Sequence, residues 1–105
     1  MPKPIYEHKA LIYKALAHPL RIQIVEFLAG GEKSVSEIVA HVGAKESNTS
    51  RHLAVLKGAG VVGSRKDGMS VLYELRLPCI VNMFSCVDRA IVEKAEYHKA
   101  IAEEI

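Results

Sequence analysis

The chain has 105 residues, half of them apolar and 25% charged, so it can bury one hydrophobic core and is too short for two ordinary domains. The formal net charge of +2 and the 6% of aromatic residues leave both nucleic acid and protein open as binding partners. The apolar and charged fractions are those of a folded protein and exclude a disordered chain. No apolar run approaches the ~20 residues that span a bilayer, and the first ten residues lack the apolar stretch of a signal peptide. We therefore expect a cytoplasmic protein with no membrane partner.

Four helices are predicted in the first sixty residues. Pro19 suits the first turn of a helix, where its missing N–H is not needed, and Ser34 with Glu37 fits a capping box that opens another helix. The predicted segments are residues 4–16, 19–28, 34–41 and 45–59. Since the third and fourth are joined by a short turn containing Gly43, residues 34–59 are predicted to form a helix-turn-helix.

A β-hairpin is predicted at about residues 61–76, where apolar and polar residues alternate. Asp67-Gly68 is a strong two-residue turn signal, because a type I′ turn needs positive φ at both central residues. A hairpin that follows a helix-turn-helix is typical of the wing of a winged helix.

The last predicted helix, at about residues 78–102, carries an apolar stripe that is too long for so small a core to cover. The stripe consists of Ile80, Met83, Phe84, Val87, Ile91 and Ala95. A second copy of the same helix is the simplest partner, although packing on the chain's own first helix alone is an alternative. The sequence thus predicts one winged-helix domain over residues 1–105, mainly α with a β-hairpin wing, in the order α-α-α-α-β-β-α.

The fourth helix has the pattern of a DNA recognition helix. A helical wheel with Leu53 inward puts Thr49 and Leu56 on the buried face, and Ser47, Asn48 and Arg51 on the opposite face. Arginine can bind guanine through two hydrogen bonds and asparagine can pair with adenine, so this face could read bases in the major groove. An ordinary solvated helix face is the alternative.

Cations near this helix and on the wing would contact phosphates. Basic residues outnumber acidic ones by eleven to seven up to Arg76, whereas acidic residues outnumber basic ones by five to three after it. Arg65 and Lys66 precede the predicted turn of the wing, where phosphate or minor-groove contact is feasible. The full set of predicted DNA-binding residues is Lys45, Ser47, Asn48, Ser50, Arg51, His52, Arg65 and Lys66.

Two stretches resemble signatures of the ArsR family of bacterial regulators. Residues 14–22, KALAHPLRI, resemble its opening signature, and residues 50–62, SRHLAVLKGAGVV, resemble its S-x-H-L-x-x-L-x-x-A-G-L-V recognition-helix signature. The resemblance covers about residues 13–92. It implies a homodimeric repressor that pairs through its first and last helices and leaves its operator when an inducer binds. In this signature His52 is interpreted as a packing or hydrogen-bonding residue more readily than as a base reader.

The chain departs from the family's pattern at three places. Lys45-Glu46 stands where the family often has serine and glutamine, which would put a carboxylate near phosphates. The third helix lacks the C-x-C motif of arsenic-responsive members. At the four positions of the zinc site stand Leu77, Cys79, Ala90 and Glu93, of which only two could bind a metal that prefers four ligands. The sequence therefore predicts neither metal site.

Cys79 and Cys86 are the remaining candidates for sensing. They are two helical turns apart, ~10.5 Å along the axis, so they cannot form a disulfide or share one metal ion within a single helix. Across a dimer they could form a sensor for oxidation, persulfide modification, or a thiophilic metal or metalloid. The alternative is that both are small apolar residues that fill the core.

No enzyme motif accompanies the five scattered histidines and two cysteines, so we expect a regulator rather than an enzyme. Two other functions stay open: a similar regulator without a metal or thiol inducer, and a winged helix that binds protein. The predicted face is more cationic and less aromatic than a protein-binding face usually is.

Overall fold

The computed structural model describes residues 3–105, so the first two residues of the predicted domain lie outside it. Within this range five α-helices and three β-strands follow one another. They are α1 (Pro4–Leu16), α2 (Pro19–Leu28), β1 (Lys33–Ser34), α3 (Val35–Val42), α4 (Glu46–Gly58), β2 (Val62–Asp67), β3 (Ser70–Leu75) and α5 (Ile80–Glu103). The predicted winged helix is confirmed, and all five predicted helices are present.

The helix starts follow local hydrogen bonding. The predicted capping box is present: Ser34 Oγ accepts a hydrogen bond from the Glu37 N–H, and the Glu37 carboxylate accepts one from the Ser34 N–H. Pro19 occupies the first turn of α2, and His18 caps that helix by accepting from the Leu20 N–H. Gly43, with φ of 70°, ends α3 and opens the turn to α4.

The sheet has one strand more than the sequence predicts. Its order is β1-β3-β2, and both pairings are antiparallel. β1 pairs Lys33 with Tyr73 and Ser34 with Leu72, immediately before α3. The predicted order lacked this strand because two residues that run into a helix cap offer no alternating pattern to detect.

The tip of the wing also differs from the prediction. Asp67 pairs with Ser70, so the two central residues of the turn are Gly68 and Met69, not Asp67 and Gly68. Gly68 has φ of 63°, and no residue other than glycine has positive φ within residues 3–105. A single glycine at the first central position is the arrangement of a type II′ turn, so the expected type I′ turn is wrong.

The core lies where α2, α3 and α4 meet β2 and the ends of α1 and α5. Ile24, Val25, Ile38, Leu53 and Leu56 have no exposed surface. Burial of such a side chain contributes about 1.5–3 kcal/mol, so these contacts fix α4 against the other helices. No helix within residues 3–105 has the length and apolar character needed to cross a membrane.

Candidate nucleic-acid interface

Helix α4 buries one face and exposes the other, as predicted. Thr49, Leu53 and Leu56 are buried, while Ser47 and Arg51 are exposed on the opposite side. Asn48 is half-buried at the edge of the exposed face. Because the first half of α4 carries these polar side chains, this part of the helix is the one that can enter a DNA groove.

The start of α4 combines a cation and an anion. The helix begins at Glu46, one residue later than predicted, and Lys45 occupies the N-cap position without a side-chain hydrogen bond to the helix. Both side chains are exposed. The positive end of the helix dipole favours anions, so it stabilises Glu46 and would also favour a DNA phosphate near Lys45.

His52 is half-buried, and its contacts are made within the protein. Its Nδ1 atom accepts a hydrogen bond from Arg21 Nε over 3.1 Å, and its ring lies 4.3 Å from the ring of His18. Burial lowers the pKa of His52, and the neighbouring His18, Arg21 and Arg51 lower it further. This geometry agrees with the interpretation of His52 as a hydrogen-bonding residue.

The two predicted cations of the wing have different surroundings. Arg65 binds the carboxylate of Glu32 through two hydrogen bonds, of 3.0 Å from Nε and 2.8 Å from Nη2. These bonds raise the pKa of Arg65. Lys66 is exposed and forms no ion pair in the described part of the chain. In a strand, neighbouring side chains point to opposite faces, so the side chains of Arg65 and Lys66 point to different faces of the wing.

A groove of about 360 Å³ separates the start of α3 and α4 from the wing. The predicted residue Ser50 lines it, and so does Glu46 one helical turn earlier. Other hydroxyl-bearing residues line it as well, namely Ser34, Ser36, Ser70 and Tyr73. Sequence reasoning missed these four as candidate contacts, because only the fold brings the α3 cap to the wing.

An uncovered apolar surface lies away from this groove, on α1 and α5. Tyr13 of α1 and Met83, Val87 and Ile91 of α5 are exposed, and Ile91 keeps 61% of its surface accessible. These four side chains, with Ile22 and others, line an apolar cavity of about 320 Å³. Only Ile80 of α5 is buried, so α1 leaves most of the predicted stripe uncovered.

Comparisons with known proteins identify the family. A model of the arsR family of bacterial regulatory proteins matches residues 18–64, from the α2 cap into the wing. An uncharacterized HTH-type transcriptional regulator of Mycobacterium tuberculosis, Rv0081, is 36% identical over 104 residues, which cover 98% of this chain and 91% of that protein. The chain belongs to the arsR family of bacterial regulatory proteins. It is a winged-helix regulator of transcription, which confirms the predicted family and the choice of a regulator over an enzyme.

Solved structures agree with the fold of this arsR-family chain. The crystal structure of Rv0081 superposes with a TM-score of 0.77 and covers 92% of this chain and 98% of that one. The homodimeric winged helix-turn-helix DNA-binding domain Mb0332 of Mycobacterium bovis, solved by NMR, is 31% identical with a TM-score of 0.75, over 90% of this chain and 87% of that one. A further relative, the biofilm growth-associated repressor of Agrobacterium fabrum, is 35% identical over 79 residues, 71% of this chain and 68% of that protein.

The cysteines of this arsR-family chain lie at and within α5. Cys79 is the N-cap residue of α5 and Cys86 lies two turns further along it, and both thiols are free and exposed. Within residues 3–105 of one protomer, no three His, Cys, Asp or Glu side chains come together as metal ligands. Exposure in the protomer contradicts the alternative that the two cysteines fill its core.

Proposed function

We propose that two copies of this chain form a repressor that binds double-stranded operator DNA and dissociates from it when an inducer acts. The observation that carries the proposal is the exposed polar half of α4 beside a wing with an exposed Lys66. A helix of this kind enters the major groove while the wing follows the adjacent backbone or minor groove. In this proposal residues 1–105 act as one DNA-binding domain, in the cytoplasm with the DNA.

Each predicted contact residue has a role in this proposal. Arg51 donates two hydrogen bonds to a guanine, and Asn48 pairs with an adenine or neighbouring base. Ser47 and Ser50 contact phosphates or base edges, and Lys45 and the two wing cations contact phosphates. The list of proposed contacts is Lys45, Ser47, Asn48, Ser50, Arg51, Arg65 and Lys66. In this proposal His52 does not contact DNA but supports α4 through its hydrogen bond to Arg21.

The second copy is proposed to pack on the apolar surface of α1 and α5. Exposed Tyr13, Val87 and Ile91 would be removed from water there. The M. bovis neighbour, which is homodimeric, supports this assembly. Two-fold symmetry would place two copies of α4 to bind two half-sites of an operator.

The repressing action is supported by the relative from A. fabrum, which is named a repressor. For the inducer we propose chemistry at Cys79 and Cys86: oxidation, persulfide modification, or binding of a thiophilic metal or metalloid. Their exposure in the protomer leaves both thiols open to reagents or to side chains of the second copy. Modification there would change how α5 packs and hence how the two copies of α4 are spaced.

DNA binding is tested with duplexes selected by the protein from a randomised library. Fluorescence anisotropy at several salt concentrations should give tighter binding to the selected duplex than to its scrambled version, and binding that weakens with salt. Light scattering should show a dimer. A protein that enriches no duplex, or that binds selected and scrambled DNA equally at every salt concentration, contradicts the proposal.

The inducer chemistry is tested by a C79S/C86S double variant. Oxidant, persulfide, arsenite and thiophilic metals are added separately to the complex with the selected duplex, and free thiols are counted before and after. At least one reagent should release DNA from the parent and not from the double variant, while Ser85→Ala, a control beside Cys86 on α5, should behave as the parent. Equal release from the double variant would show that the cysteines are not the sensor.

A further inference from the structure

We propose that His52 is a positioning residue of the recognition helix. Its neutral imidazole holds Arg21, and this contact sets the orientation from which Arg51 and Asn48 read bases. The inference rests on the proposed DNA binding and adds a residue that controls the specificity of that binding as a function of pH.

Arg21 connects three segments of the chain. Its Nε donates to His52 Nδ1 on α4 over 3.1 Å, and its Nη1 donates to the carbonyl oxygen of Ala15, in the last turn of α1, over 3.2 Å. Arg21 itself lies in the first turn of α2. Both bonds are partly buried, so they are stronger than bonds in open water. The guanidinium therefore ties α4 to the corner between α1 and α2.

A second histidine belongs to the same corner. His18 Nδ1 accepts the N–H of Leu20 over 3.1 Å as the cap of α2, and its ring lies 4.3 Å from the ring of His52 at an angle of 44°. The two imidazoles thus pack against each other while each uses Nδ1 as an acceptor. A proton on either Nδ1 would remove one of these hydrogen bonds.

The chemistry of the contact requires a neutral His52. A guanidinium has only donors and stays charged, so the imidazole nitrogen that faces it must carry no proton. The charged or titratable groups that face His52 are His18 from the α1–α2 corner, Arg21 from α2 and Arg51 from α4. Since none of these is an anion, a proton on His52 would gain no stabilising partner and would break the bond to Arg21.

Acidification should therefore affect specificity and overall affinity in opposite directions. The pKa of His52 lies below 6.5, chiefly because of burial. As the pH falls below 6.5 the unfolded chain takes up a proton first, so stability is lost until the lower pKa of the folded state is reached. Below that pKa the bond to Arg21 is lost and Arg51 is less well placed, while the added charge beside Arg51 attracts the phosphates of any sequence.

The test compares wild-type protein with His52→Asn and His52→Leu. Asparagine keeps an acceptor near the position of Nδ1 but does not titrate, whereas leucine removes the acceptor. NMR titration of the free protein first gives the pKa of His52. Affinities for a library-selected duplex and its scrambled version are then measured at about pH 7.5 and at about one pH unit below that pKa, at constant ionic strength. For wild-type protein, we expect the ratio of the affinity for the selected duplex to the affinity for the scrambled duplex to fall about tenfold on acidification. For the asparagine variant this affinity ratio should stay nearly constant. For the leucine variant it should be low at both pH values.

Two further measurements test whether His52, rather than another histidine, causes the pH dependence. His98→Asn, which removes an exposed histidine of α5, should keep the pH dependence of wild-type protein. NMR titration of the His52 imidazole without DNA should give a pKa below 6.5, and Arg21→Met should change that pKa.

Each negative result has its own meaning. If wild-type protein enriches no duplex, the proposed function fails, and this inference with it. If a duplex is enriched but the affinity ratio of the asparagine variant falls on acidification as much as that of wild-type protein, only the positioning role of His52 is wrong. The same conclusion follows if the leucine variant folds and keeps the full ratio. If the leucine variant does not fold, the comparison of asparagine with wild type decides.

Discussion

Arg65 and Glu32 form a two-point ion pair between the wing and the loop that precedes β1. The distances are 3.0 Å from Nε to Oε2 and 2.8 Å from Nη2 to Oε1, and the arginine side chain is 58% exposed. An exposed pair of this kind contributes little to stability. Its main effect is electrostatic, because one of the two proposed wing cations is already neutralised by a carboxylate before DNA arrives.

Glu32→Gln should strengthen DNA binding. The substitution keeps the shape of the side chain but removes the charge that competes with phosphate for Arg65. We expect severalfold tighter binding to every sequence, and a plot of log affinity against log salt that is steeper by about one counterion. Anisotropy titrations over a range of salt concentrations measure both. Glu103→Gln, at the end of α5, is the control because it also removes one negative charge, but outside this ion pair. It should change the affinity and the salt slope less than Glu32→Gln does. Unchanged affinity and slope would mean that Arg65 makes no phosphate contact.

Arg51 and Lys66 should differ in the kind of loss they cause. Arg51→Ala should cost about 1–3 kcal/mol on the selected duplex and relax its sequence preference, because a base contact is lost. Lys66→Ala should weaken binding to all sequences alike and flatten the salt slope by about one, because a phosphate contact is lost. Titrations of both variants on selected and scrambled duplexes at two salt concentrations distinguish these effects. An interchange of the two patterns would show that the roles are wrongly assigned.

The helices could be predicted because their signals are local. Pro19, the Ser34 capping box and the periodic apolar positions each lie within a few residues of the structure they specify. The turn of the wing was predicted in the right region, but the pairing of Asp67 with Ser70 depends on strand register, which moves the turn by one residue. β1 could not be predicted, because its two residues form a strand only through their pairing with β3, a segment distant in the sequence.

The partners within the candidate site could not be predicted, because they are far apart in sequence. Arg65 and Glu32 are separated by 33 positions, and Arg21 and His52 by 31. Arg21 and His52 each lie in one of the two family-like stretches, but neither stretch by itself shows that they meet. Such contacts depend on how α2 packs against α4, which the hydrophobic pattern specifies only as a buried face.

Thr49→Val should make the protein more stable. Thr49 has no exposed surface, and its hydroxyl oxygen finds no hydrogen-bond partner among residues 3–105. Valine has nearly the same shape without the buried hydroxyl, so we expect the free energy of unfolding to rise by about 1 kcal/mol. Urea denaturation at a fixed protein concentration measures it. Thr49→Ser, which keeps the hydroxyl and loses the methyl group, should instead lower stability, and a less stable valine variant would mean that the hydroxyl is bonded in solution.

Ile91→Glu should separate the proposed dimer without unfolding the protomer. Ile91 is 61% exposed in the single chain, so a charged side chain there costs the protomer little, whereas burial of an unpaired carboxylate between two copies is unfavourable. Light scattering should show monomers at concentrations where the parent is dimeric, and affinity for a selected two-half-site duplex should fall steeply because the half-sites are no longer bound together. Asn82→Glu is the matched control, since at 100° per residue Asn82 lies on the side of α5 away from the stripe. It should leave the dimer intact. If the Ile91 variant folds and stays dimeric, the second copy packs elsewhere, and the apolar surface of α1 and α5 needs another occupant.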